Sequence, residues 1–74
     1  MGLHFHGRII YLDVHRGLLV VQDPRDQKSY DIHFDPARLR VNDDLREGLD
    51  VTVMTCYDGN AYIANAVTIN PAGK

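Results

Sequence analysis

Apolar and polar positions alternate with a period of two along most of this chain, the spacing of strands that bury one face. From Leu3 to Val14, Phe5, Gly7, Ile9 and Tyr11 share one face, and His4, His6, Arg8, Ile10 and Leu12 the other. Gly7 within that run marks a bend or bulge. Asp13-Val14-His15-Arg16-Gly17 reads as a turn in which Gly17 is free to take positive φ. Leu18 to Gln22 is a second strand, apolar on both faces. Asp23-Pro24-Arg25-Asp26-Gln27 is turn chemistry, with Pro24 fixing φ at the second position. Lys28 to Phe34 is a third strand, with Tyr30, Ile32 and Phe34 on one face and Asp31 and His33 on the other.

The segment Asp35 to Gly48 breaks the alternation. Asp35-Pro36 has the form of an N-cap followed by proline, so one helical turn is expected there before Asn42-Asp43-Asp44 interrupts it. Leu49 to Tyr57 is a fourth strand, setting Val51, Val53 and Thr55 against Thr52, Met54 and Cys56. Asp58-Gly59-Asn60 signals a hairpin turn, and Ala61 to Asn70 is the fifth strand. Residues 71–74 are expected to fray. Three closely spaced strands, a long connection and a closing hairpin predict an all-β fold. The expected architecture is a five-stranded antiparallel Greek-key barrel of OB type, with its long connection between strands 3 and 4.

The 74 residues suffice for a single domain spanning 1–74. A chain this short has little core to spare, and closing the sheet removes exposed edges. Composition is globular, with 45% hydrophobic and 24% charged residues. The net charge of -2 argues against a strong polyanion binder, which draws affinity from a basic excess. Cys56 is the one cysteine, so neither an internal disulfide nor a cysteine-based zinc site can form. The first residues lack a basic segment followed by an apolar one, and no apolar run reaches membrane-spanning length. A cytoplasmic location is the expectation.

Several segments resemble a bacterial cold-shock domain. Gly7-Arg8-Ile9-Ile10-Tyr11-Leu12 is similar to its first-strand G-x-V-K-W-F, and Arg16-Gly17-Leu18-Leu19-Val20-Val21 to its K-G-F-G-F-I. Tyr30-Asp31-Ile32-His33-Phe34 is similar to V-F-V-H-F. Leu45-Arg46-Glu47-Gly48 with Val51-Thr52-Val53 resembles L-x-E-G-x-x-V-x-F, and Gly59 through Ala64-Asn65-Ala66-Val67-Thr68 the closing G-x-x-A-x-x-V. The resemblance implies a non-catalytic module binding single-stranded RNA or DNA, weakly, on one face. That face comprises Tyr11, Leu18, Val20, Asp31, His33 and Phe34. Tyr11, His33 and Phe34 are the implied stacking residues, with Arg8 and Arg16 at phosphates. Leu18, Val20 and Asp31 stand where the family has aromatics, and stacking contributes roughly 1–3 kcal/mol per base. The alternative keeps the apolar area without the rings: Tyr11, Leu18, Val20 and Phe34 as a protein interface, with a homodimer as the simplest occupant.

Other candidates carry less. His4 and His6 share a strand face and could join His15 or His33 around a metal, but spacing fixes no carboxylate or thiolate beside them. No metal and no cofactor are therefore expected. Cys56 has no activating neighbour in sequence and reads as a small buried hydrophobe. Asp43, Asp44 and Glu47 read as turn residues leading to Gly48. Arg38, Arg40 and Arg46, interleaved with Leu39, Val41 and Leu45, read as solvated charges on a loop tucked against the barrel. No nucleophile motif or phosphate-binding glycine loop is present, so no enzyme is expected.

Overall fold

The alternation of the first strand holds as far as Ile9 and then slips. In the computed structural model, which describes residues 2–42 and 44–70, β1 (Gly2–Asp13) pairs antiparallel with β2 (Leu18–Gln22). Ile9 lies opposite Val21, but Tyr11 lies opposite Val20, so Ile10 is an extra residue in a bulge. The slip turns Tyr11 outward, away from the face that Phe5, Gly7 and Ile9 share, and turns Leu12 partly inward. A strand that serves two neighbours in a closed barrel must coil, and a bulge supplies the extra twist.

β1 is the shared strand. Its first half, Gly2 to Arg8, pairs antiparallel with β5 (Asp50–Tyr57), and its second half pairs with β2. β2 continues to β3 (Ser29–His33), and β5 to β6 (Tyr62–Ile69), all antiparallel. The sheet closes between β3 and β6, where Ile32 and His33 lie opposite Tyr62 and Ile63 in parallel. This seam departs from the fully antiparallel expectation. Because β1–β2, β2–β3, β1–β5 and β5–β6 are all antiparallel, β3 and β6 both run in the direction of β1, so their closure is parallel. A two-residue strand, β4 (Arg40–Val41), also pairs parallel with β6, at Ala66 and Val67. The fold is the expected all-β OB-type barrel, with five long strands and this short addition inside the long connection.

The interior holds Ile9, Leu19, Val21, Ile32, Phe34, Val51, Val53, Ala64 and Val67, with Leu39, Leu45 and Leu49 of the connection packed against it. Asp35 starts a single turn: its carbonyl accepts from Leu39 N at 2.9 Å and its carboxylate from Ala37 N at 3.0 Å. No helix follows among the described residues. Gly17 takes φ +68°, and a Cβ there would run into the backbone carbonyl of Phe34. Phe34 N in turn donates to Gly17 O at 2.8 Å. That clamp carries the inward phase of β3 one residue beyond its end. The fraying expected for 71–74, and the turn role expected for Asp43, fall outside the described residues.

Candidate functional site

The barrel presents two outer faces, divided by β1. On the first, the pairing registers set Tyr11, Val20 and Asp31 in one row, and Asp13, Leu18 and His33 in the next. Arg8 lies one row further, opposite Gln22 and Ser29. Five of the six residues expected on the cold-shock-like face are therefore together. Phe34 is not among them. It is 7% exposed and belongs to the core, because it keeps the phase of Ile32. Both roles expected of Phe34, in stacking and at an interface, are withdrawn.

What remains is a poor base-binding platform. Tyr11 is its one exposed benzenoid ring, at 43%. Asp31 and Asp13 place carboxylates in the same rows, and Arg16 is held by Asp13, with Nε 3.7 Å from Oδ2. Leu18 and Val20 are half-buried rather than freely presented.

The second outer face lies over β1, β5 and β6. Val51, Val53 and Thr55 point inward and are buried; Met54 and Cys56 point outward. The alternation expected for this strand is therefore observed, but Cys56 is on the solvent side and is a free thiol. Its expected place in the core is corrected: the inward positions are filled by the β-branched residues, and the alternate set is left outside. His4 lies directly opposite Met54 across the β1–β5 pair, and Gly2 opposite Cys56. Directly opposed residues have Cβ atoms about 4.5–5.5 Å apart, and residues two apart along a strand are separated by roughly 7 Å. One imidazole, one thioether and one thiol thus share a small patch of outer sheet. Glycine opposite the thiol leaves that side open.

β6 adds a polar side chain to this patch. Met54 lies opposite Ala66 and Thr55 opposite Ala64, so Asn65 is an extra residue in a second bulge. Its Nδ2 donates to Cys56 Sγ at 3.2 Å. His6, two residues from His4 on the same face, has its Nε2 3.5 Å from Asp50 Oδ2. His15 lies in the turn beyond β1 and His33 on β3, so neither joins this pair. Among the described residues no three His, Cys, Asp or Glu side chains cluster as a metal site of those donors requires.

The perturbed carboxyls lie at the turns between strands. The guanidinium of Arg25 donates to Asp23, at 3.0 Å from Nη2 to Oδ2, and lowers the carboxyl's pKa. The amides of Ala61 and Asn60, each 2.9 Å from Asp58 Oδ1, do the same at the β5–β6 hairpin. These are turn-closing carboxylates.

The sequence alone sets Met54 and Cys56 on one strand face and offers His4 and Cys56 as separate candidates, but not their assembly. The pairing of His4 with Met54 depends on the β1–β5 register, which no local pattern specifies.

No family model matches the chain, and no curated protein matches it. Solved structures do. CusF of Escherichia coli with Ag(I) superposes with a TM-score of 0.80 over 96% of this chain and 94% of that one, at 12% identity. Another Ag(I) CusF structure gives 0.78 over 95% and 99%, at 9% identity. A Cu(II) structure of a CusF variant from Escherichia coli gives 0.77 over 95% and 92%, at 12% identity. The expected partners, single-stranded nucleic acid and a second copy of the chain, are corrected on this finding: these CusF structures hold silver or copper ions. The depleted platform on the first face agrees with that correction. At such low identity the likeness extends to the fold, and the chain shares the OB-like barrel of CusF.

Proposed function

We propose that this chain is a non-catalytic barrel that binds one soft monovalent metal ion, copper(I) or silver(I), through His4, Met54 and Cys56. The observation that carries the reading is the register of β1 on β5, which brings three soft or borderline donors to one outer face. Thiolate and thioether sulfur favour copper(I) over harder ions, and imidazole nitrogen accompanies them readily. The Ag(I) and Cu(II) structures of CusF support a metal ion as the ligand class. The donors fit a soft ion better than zinc, for which the cluster of His, Cys, Asp or Glu ligands is missing among the described residues. His6 is left out of the set because Asp50 engages it.

The ion is cargo here, not a resident cofactor. The thiolate is the binding form of cysteine, so loading releases the Cys56 proton to solvent. Met54 and Cys56 are solvent-accessible, so an ion can arrive and leave without a conformational change. Anaerobic titration of the reduced protein tests the reading, with Ag(I) directly or with Cu(I) against a competing chelator. The expected result is one equivalent bound per chain, with binding weakened by Cys56→Ser and by Met54→Leu and with zinc not retained. Wild-type protein that competes no better than a Cys56→Ser, Met54→Leu double variant refutes it.

A further inference from the structure

Of the polar side chains around the patch, Asn65 is the one whose placement demands an explanation. It is the extra residue of the β6 bulge, inserted between Ala64, opposite Thr55, and Ala66, opposite Met54. A bulge locally breaks the ladder and re-aims a side chain. In this chain it lets Asn65 stay exposed while Ala64 and Val67 on either side remain buried. The result is the contact of Asn65 Nδ2 with Cys56 Sγ at 3.2 Å. Beside it, Ala66 is the small residue facing Met54, so the thioether is not crowded from the β6 side.

We infer that Asn65 is a positioning residue for the sulfur of Cys56, setting the strength and orientation of that donor toward a soft cation. The inference rests on the proposed metal-binding reading and adds a residue to it. A coordinated thiolate keeps lone pairs that can accept an N–H, and such outer partners orient ligands and tune the metal they hold. The Asn65 amide holds Sγ on the outer face beside Met54 without occupying a coordination position. It also draws charge from the sulfur, which alters the energy of sulfur-to-metal electronic transitions. Removing such outer partners typically costs about 10- to 100-fold in metal affinity.

The test uses the full chain with Asn65→Ala and Asn65→Asp, the second keeping the shape but replacing the donor amide by a carboxylate. Cu(I) affinity is measured anaerobically against a chelator, the near-ultraviolet sulfur-to-copper band is recorded, and melting temperature is followed in parallel. Both variants are expected to lose about 10- to 100-fold in affinity, with a displaced band and melting temperatures near the wild type's. Asparagine's role at Sγ is refuted if the wild type binds while both variants bind within twofold and keep the wild-type band. An affinity loss that tracks a lowered melting temperature, with no change in the band, also refutes it and assigns Asn65 to the bulge alone. A wild-type chain that binds neither Cu(I) nor Ag(I) overturns the parent reading instead.

Discussion

Gly7→Ala is the substitution that most directly tests how this barrel is closed. Gly7 is the residue before β1 passes from β5 to β2. A Cβ there would run into the carbonyl of Gln22 and stand 2.7 Å from its carbonyl carbon and 3.0 Å from Val21 Cγ1. Two of those three atoms are backbone, so a flexible side chain cannot simply swing aside. Overpacking a well-filled interior costs typically about 1–3 kcal/mol. Against this stands a gain of roughly 0.4–1 kcal/mol, because alanine narrows the unfolded ensemble. The clash dominates, since relieving it means moving β2 away from β1 at the crossing. A net loss of about 1–2 kcal/mol corresponds to a fall in melting temperature of roughly 4–16 °C for a domain of this size.

Gly2→Ala is the internal control. Its Cβ would meet only Thr55 O, at 3.5 Å, an ordinary contact. Thermal unfolding by circular dichroism, on both variants and the wild type, measures the difference. If Gly7→Ala melts within about 2 °C of wild type, the strands can separate without cost and the argument from the crossing fails. Because Gly2 lies opposite Cys56, the control also bears on the metal patch: Gly2→Ala is expected to leave melting unchanged and to narrow access to the thiol.

Other outcomes follow from the same structure. Phe34→Ala is expected to destabilise by about 3–5 kcal/mol, as for a buried aromatic, and denaturant titration checks this; a loss below about 1 kcal/mol returns Phe34 to the surface. Asp58 and Asp23 have lowered folded-state pKa values, so their stabilisation is present above the unfolded value of 3.8 and is lost as pH falls through the lower folded values. Melting temperature should therefore drop below about pH 4, and Asp58→Asn should flatten part of that fall; an identical pH profile for Asp58→Asn refutes the assignment. Tyr11→Ala, on the face once expected to bind nucleic acid, should leave Ag(I) binding unchanged, and a calorimetric titration reads this directly.

The strands, turns and long connection were readable because each has a local cause. Val51, Val53 and Thr55 alternate with Thr52, Met54 and Cys56 in the sequence as they do across the sheet. Gly17 is a glycine where φ is +68°, and Asp58-Gly59 closes the hairpin. Plain alternation puts Tyr11 in phase with Phe5 and Ile9, because nothing local marks Ile10 as the bulge; Gly7, the obvious candidate, lies inside the regular β1–β5 register. Residue type alone puts Cys56 in the core, whereas strand phase puts it on the outer face. The patch of His4, Met54 and Cys56 was illegible for a further reason. His4 and Met54 are fifty positions apart along the chain and meet only through one antiparallel register.

That division explains why a convincing outline led to the wrong ligand. The features that carry the resemblance to cold-shock domains are glycines such as Gly7 and Gly17 and alternating apolar residues, and closure of the barrel imposes them whatever it binds. CusF shares the barrel with this chain at a TM-score of 0.80 and 12% identity, so few residue identities are needed to keep the shape. Exposed positions are under no such packing constraint. Tyr11, Asp31 and His33 on one face, and His4, Met54 and Cys56 on the other, can change chemistry while Ile9, Val21 and Val53 remain buried. An OB outline therefore identifies the support, and the ligand has to be read from whichever outer face concentrates side chains of one chemistry. In this chain the first face mixes a lone ring with carboxylates, whereas the second gathers sulfur and imidazole where β1 crosses β5.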